Sequence, residues 1–209
     1  MKLSDLKAAI FDLDGTLLDS MNIWQKVDRT FLARRNLSLT PDYTEALQTL
    51  HFPEAARYTK SRFSLPESEE EIISEWMSLT EEAYRTVPLM PFAKEYLLFL
   101  AERNVRLGIA TSSDRRLFLP ALAHHGIDKL FSAVVTVTDV SRGKEFADVY
   151  LKTAELLGVS PEQCAVFEDV PQAACAARSG GFFTVMIANG DKNASCADLV
   201  IRSYKELLV

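Results

Sequence analysis

From Pro91 onward the chain alternates short apolar runs with helical stretches of about ten to twelve residues, several of them stopping at glycine. The pattern predicts helices over Ala93–Arg103, Asp114–His125 (ended by Gly126), Phe146–Leu157 (ended by Gly158) and Pro171–Ser179 (ended by Gly180-Gly181). Between them it predicts strands at Arg106–Ala110, Ala133–Val137, Cys164–Phe167, Phe182–Ile187 and Leu199–Ile201, with a last helix at Tyr204–Leu208. Strands that alternate with helices of this length cannot pair as hairpins. They form a parallel sheet whose two faces are covered by the intervening helices. The fold class is therefore α/β.

A further strand, Lys7–Leu13, belongs to the same sheet: it is nearly continuous in its apolar part, as a strand buried on both faces is. The turn signal Asp14-Gly15-Thr16 stops it. From about Ser20 to Val87 the rhythm changes. Ile23, Val27 and Phe31 recur at helical spacing, as do Ile72, Trp76 and Ala83. Thr40-Pro41, Pro53-Glu54 and Ser68-Glu69-Glu70-Glu71 read as helix starts. No strand pattern occurs there. The chain thus divides into an α/β core of residues 1–19 and 88–209 and a helical domain of residues 20–87 inserted after the first strand. Trp24 reads as part of that domain's core, beside Val27 and Phe31.

Composition narrows the function. The 209 residues carry a net charge of −6 and no basic run reaches five residues, which argues against nucleic acid as the ligand. No apolar stretch approaches the roughly 18–20 residues that span a bilayer, and the N-terminus lacks the apolar core of a secretory signal. No membrane partner is expected, and monomer is the default. The three cysteines, Cys164, Cys175 and Cys196, show neither metal spacing nor a Cys-x-x-Cys pair. They read as small buried hydrophobes in a reducing compartment, so a cytoplasmic location is expected.

Ligands of an open parallel sheet bind beyond the carboxyl ends of its strands. Asp12, Asp14 and Thr16 come after the first strand, and Thr111, Ser112 and Ser113 after the second. Lys144 lies in the loop beyond the third strand, and Glu168 and Asp169 come after the fourth. Singly, each has an ordinary explanation: an Asp-Gly turn, a helix cap, a solvated lysine, acids favouring a helix N-terminus. Together they bring carboxylates, hydroxyls and an ammonium to one edge, a set suited to phosphate and a divalent metal.

Phe11-Asp12-Leu13-Asp14-Gly15-Thr16-Leu17-Leu18-Asp19-Ser20 closely resembles the first signature of the haloacid dehalogenase-like hydrolases. Gly108–Ser113 resembles the second, Gly143-Lys144 with Asp148-Val149-Tyr150 the third, and Val166-Phe167-Glu168-Asp169 with Ala176-Ala177 and Gly180 or Gly181 the fourth. The resemblance spans the chain and is nearest to the β-phosphoglucomutase and phosphoglycolate phosphatase-like branch. It implies a Rossmann-like core with an α-helical cap. It also implies Mg²⁺ held by Asp12, Asp14 (through its backbone carbonyl), Asp169 and Glu168, the last directly or through water. Asp12 would be the nucleophile, forming an aspartyl-phosphate. Asp14 would be the acid–base. Thr111 and Lys144 would hold phosphoryl oxygens, aided by backbone amides near Leu13, Ser112 and Ser113.

The sequence departs from the family in places. The third signature lacks both usual prolines, reading Gly143-Lys144-Glu145-Phe146-Ala147-Asp148. In the fourth, Val170 and Ala173 replace a serine and a glycine. Where the mutase branch implies a cap histidine, this chain has Trp24. The expected function is hydrolysis of a small phosphorylated metabolite. The alternatives are a sugar-phosphate mutase and a catalytically inactive binding or regulatory protein on the same fold. A dinucleotide site is excluded, because no Gly-x-Gly-x-x-Gly comes after a strand. Specificity is expected from the cap, whose polar candidates are Asn22, Arg34, Arg35, His51, Arg57, Lys60 and Arg62.

Overall fold

A computed structural model describes residues 6–47, 50, 52–188 and 195–208. They form two compact units, one of Met1–Ser20 with Val87–Val209 and one of Met21–Thr86. His51 lies outside the described residues.

The first unit is a six-stranded parallel sheet. Its strands are β1 (Ala8–Phe11), β2 (Arg106–Thr111), β3 (Phe131–Thr136), β4 (Cys164–Glu168), β5 (Phe183–Ile187) and β6 (Leu199–Ile201), in the spatial order β3-β2-β1-β4-β5-β6. Every residue of β1 and β4 is buried, as expected for strands covered on both faces. On one face Ala8, Ile10 and Val166 pack under Val149, Tyr150, Ala154 and Leu157. On the other, Phe11 and Phe167 of neighbouring strands stack with centroids 4.4 Å apart, and Tyr96 and Tyr204 close over them. The order reverses at β1, with β2 on one side and β4 on the other. This reversal is the switch point where such sheets bind ligands.

Numbering the helices along the whole chain, those of this unit are α5 (Ala93–Glu102), α6 (Arg115–His125), α7 (Asp148–Leu157) and α8 (Pro171–Ser179). Asp114 caps α6 by accepting from the Arg116 N–H at 2.8 Å. Two expected elements differ. The helix after β3 starts at Asp148, two residues later than the apolar pattern suggests, and the segment from Tyr204 to Leu207 is a single 3₁₀ turn.

The cysteine reading needs correction. Cys175 on α8 and Cys196 form a disulfide across Cα atoms 4.9 Å apart, and Cys164 alone is a free buried thiol. Ala173, Ala174, Ala176 and Ala177 make the buried face of α8. Cys175 is only half-buried, which leaves its sulfur free to meet Cys196.

The second unit packs four helices: α1 (Ile23–Ala33), α2 (Pro41–Leu47), α3 (Phe52–Phe63) and α4 (Glu69–Arg85). Ser68 and Glu71 complete a reciprocal capping box at the start of α4. Ile23, Val27 and Phe31 are buried, and Phe31 meets Trp76 edge-on at 5.5 Å. Trp24 is not in this core, contrary to expectation. It is 47% exposed, because one residue's step of about 100° along the helix turns it away from the Ile23–Val27–Phe31 stripe.

Asp28 is buried in this unit, and burial pushes its carboxyl up to about 6. A raised folded-state pKa means that the native protein binds the proton more tightly than the unfolded chain. Stability therefore falls as pH rises from about 4 to 6, and the full cost, about 1–3 kcal/mol, is present above that window. The melting temperature of the wild type relative to Asp28→Asn should rise as pH is lowered through this range. A gap independent of pH would show that the carboxyl is not perturbed.

Candidate active site

Register places the acids side by side. Phe11 pairs with Phe167 across β1 and β4, so the next residues along each strand, Asp12 and Glu168, sit beside each other at the carboxyl edge. Phe11 also pairs with Ile109 on β2, which brings Thr111 to the same edge. The Asp12 N–H donates to the Phe167 carbonyl at 3.0 Å, carrying the pairing one residue beyond the strand. The Leu13 carbonyl then accepts from the N–H groups of Thr16, Leu17 and Leu18 at 3.1, 2.9 and 2.8 Å, which winds the loop into a tight turn. Gly15 has φ +76°, and a Cβ there would lie 2.6 Å from Asp169 Oδ2. Glycine is needed at this position both for the left-handed backbone and for the close approach to Asp169.

Asp12, Glu168 and Asp169 are all buried, and each offers an oxygen within 4.8 Å of the others. Lys144 Nζ donates to Asp12 Oδ1 and to Glu168 Oε1, both at 2.5 Å. Burial works against its ammonium, but the Asp12 and Glu168 charges outweigh it and hold the lysine protonated. Burial pushes the Asp12 carboxyl above the usual range, opposed by Lys144 and reinforced by Glu168. Glu168 Oε2 is buried and meets no hydrogen-bond donor among the described residues. A buried carboxylate oxygen left in this state is costly. Three acids against one lysine, all oxygen donors, form a set that could hold a metal ion.

The hydroxyl residues make contacts within the site. Thr111 is buried, and its Oγ1 accepts from the Ser113 N–H at 3.1 Å. The Ser113 hydroxyl donates to Asp14 Oδ2 in a close contact. Ser113 therefore supports Asp14, and its N–H is already engaged. Ser112 is exposed.

Tyr150 has no part in the sequence reading of the site beyond filling the third signature. Its hydroxyl donates to Glu168 Oε1 at 2.6 Å, and its ring centroid lies 5.7 Å from Lys144 Nζ. Burial, with the Glu168 charge, holds this phenol protonated. Tyr150 lies six residues after Lys144 within an apolar helical pattern, so only the conjunction of a hydroxyl and a buried face signals it.

The cap candidates are mostly committed to one another. Arg34 and Arg35 pair with Glu75, Arg35 also with Glu67, Arg57 with Glu69 and Arg62 with Asp42, while Lys60 donates to the Glu67 carbonyl. Asn22 stands at the N-cap of α1 without a side-chain bond.

Residues 9–187 match the family model of the haloacid dehalogenase-like hydrolases, and the chain belongs to this family. It is 31% identical to hexitol phosphatase A of Escherichia coli, over 97% of this chain and 94% of the relative. It is 27% identical to beta-phosphoglucomutase of Bacillus subtilis, over 97% and 92%. Among solved structures, a HAD family hydrolase from Deinococcus radiodurans with bound phosphate and sodium is similar at 25% identity, with a TM-score of 0.73 over 98% of this chain and 94% of that one. The chain is an enzyme of the phosphoric monoester hydrolase class.

Proposed function

We propose that this protein is a Mg²⁺-dependent phosphatase of a small phosphorylated metabolite, working through an aspartyl-phosphate on Asp12. The observation that carries the reading is the buried group of Asp12, Lys144, Glu168 and Asp169 at the switch point of the sheet. Mg²⁺ prefers oxygen donors, and Asp12, Asp169, Glu168 and the Asp14 backbone carbonyl are the groups to hold it. When bound, it offsets the repulsion between the Asp12 carboxylate and the substrate's phosphoryl oxygens.

An Asp12 oxygen forms a bond to phosphorus as the bond from phosphorus to the leaving oxygen breaks. Asp14 gives that oxygen its proton. In the second step Asp14 takes a proton from water, whose oxygen attacks phosphorus and releases inorganic phosphate and free Asp12. Lys144, held charged beside Asp12, supplies positive charge to the phosphoryl oxygens, and Thr111 supplies a hydroxyl. Residues 20–87 act as the cap that reads the rest of the substrate.

The mutase reading is favoured by the Bacillus relative. Against it stands Trp24, whose indole cannot titrate and so cannot hold Asp14 back from activating water. The reading carries a monomeric enzyme with no nucleic-acid or membrane partner; the Cys175–Cys196 disulfide removes the cysteine argument for a cytoplasmic location. Among the described residues, no helix is long and apolar enough to cross a membrane.

A screen of phosphorylated metabolites, read as inorganic phosphate released, tests the proposal. Activity should fall at least about 100-fold with a chelator and return with added Mg²⁺. Turnover that survives chelation would overturn the metal requirement. Rapid exchange of β-glucose 1-phosphate with glucose 6-phosphate, with little phosphate released, would favour the mutase.

A further inference from the structure

The helical unit contains a pocket of about 440 Å³, within the range of small-ligand sites. Trp24, Gln25 and Asp28 reach it from one face of α1 and Met21 from the turn before that helix, and Phe52 and Trp76 reach it from α3 and α4. Trp24 and Phe52 meet edge-on at 5.4 Å, and Phe52 and Trp76 at 6.2 Å, so three aromatic rings converge on one cavity. Met21, Trp24 and Phe52 are exposed by 60%, 47% and 37%. Single exposed apolar residues need no explanation, but three lining the same concavity mark a binding surface.

Asp28 gives the pocket its chemistry. It is only 9% exposed, yet it forms no hydrogen bond or ion pair with any described residue. Arg34, Arg35, Arg57 and Arg62 of the same unit pair with other acids and Lys60 with a carbonyl, while Lys26 and Arg29, which flank Asp28 on α1, are exposed and form no ion pair with it. A buried carboxylate without a partner is costly, and the described residues supply none. A bare metal ion is a poor complement, because one carboxylate among aromatic rings gives too few oxygens. A neutral donor would satisfy one hydrogen bond and leave the charge uncompensated. An ammonium compensates it, and the faces of Trp and Phe rings attract the same charge.

We propose that this pocket binds a compact organic cation, an ammonium group on an apolar or cyclic skeleton, with its charge against Asp28 and its skeleton among Trp24, Phe52 and Trp76. The assignment rests on the reading of this unit as the cap that reads the substrate, and its test is separate, since binding is read without turnover.

The chain has two tryptophans, and both line the pocket, so tryptophan fluorescence, excited selectively over tyrosine, reports on this site. The full chain near neutral pH is titrated with benzylammonium, cyclohexylammonium, benzyl alcohol and benzoate, at constant salt. Both ammonium compounds should give a saturable change, benzyl alcohol should bind at least about tenfold more weakly, and benzoate should give none. Asp28→Asn should weaken the ammonium compounds about tenfold and leave benzyl alcohol within about twofold, with folding checked by circular dichroism. Should Asp28→Asn not fold, Trp24→Ala, at a half-exposed position, should weaken ammonium binding about fivefold. Equal binding of benzyl alcohol and benzylammonium, no saturable response to either cation up to about 10 mM, or unchanged cation affinity in the folded variants would overturn the proposal.

Discussion

Asp12→Asn should yield a folded protein that releases no phosphate from any substrate of the wild type, a loss of about 10⁴-fold or more. An amide is nearly the same shape as the carboxylate it replaces, but it cannot carry the phosphoryl group as an acyl-phosphate. The fold should tolerate the change. Lys144 keeps Glu168 as an ionic partner at 2.5 Å, and Tyr150 continues to donate to the same Glu168 oxygen. The cost of burying the Asp12 charge, which raises its carboxyl, and its repulsion with Glu168 are also removed, so part of the lost attraction to Lys144 is returned. The melting temperature should move by no more than a few degrees. Near-normal phosphate release from purified Asp12→Asn would mean that another group, or water itself, attacks phosphorus. Loss of activity with loss of fold would be uninformative for Asp12→Asn alone, so circular dichroism accompanies the assay, and Asp12→Glu supplies the second variant. Glu keeps the charge beside Lys144 but moves the oxygen by one methylene, and should be similarly inactive while folded.

The carboxyl-edge residues are legible in the sequence because parallel strands impose a simple rule: residues just past the end of each apolar run lie at one edge of the sheet. Asp12, Thr111 and Glu168 stand beyond or at the ends of β1, β2 and β4, three strands that are neighbours in space. Lys144 is harder, since it lies in a loop eight residues beyond the end of β3, and only its resemblance to the third signature singles it out. Tyr150 escapes notice because a tyrosine in an apolar stripe looks like packing, and its packing is real: it lies in the core under the sheet as well as against Glu168. Ser113 is read in the sequence only as a backbone amide donor; that its hydroxyl meets Asp14 is a choice made by loop geometry that spacing does not encode. The disulfide is invisible for a similar reason. A separation of 21 residues between Cys175 and Cys196 has no pattern, and the pairing depends on how α8 lies against the segment before β6. Asp28 does leave a trace. Met21, Trp24, Gln25 and Asp28 fall at i, i+3, i+4 and i+7, and a carboxylate on a face bearing a methionine and a tryptophan is a signal of its own.

Asp14→Asn tests the other half of the chemistry and should separate the two steps. The amide oxygen can still accept from the Ser113 hydroxyl, so the side chain should keep its place. What it loses is the ability to give and take a proton, worth about 10²–10⁴-fold in each step that needs one. An alkyl phosphate has a poor leaving group and requires that proton in the first step. An aryl phosphate such as nitrophenyl phosphate leaves as a stabilised anion and does not. In Asp14→Asn the aryl substrate should therefore phosphorylate Asp12 almost normally and then stall, because no group takes the proton from water. Rapid mixing should show a burst of nitrophenolate of about one equivalent per enzyme, then slow turnover, with phosphate release lagging behind. The alkyl substrate should show no burst and the larger loss. Equal losses for both substrates without a burst would indicate that Asp14 acts through geometry alone, by shaping the loop that carries Asp12, and that the proton travels by another route.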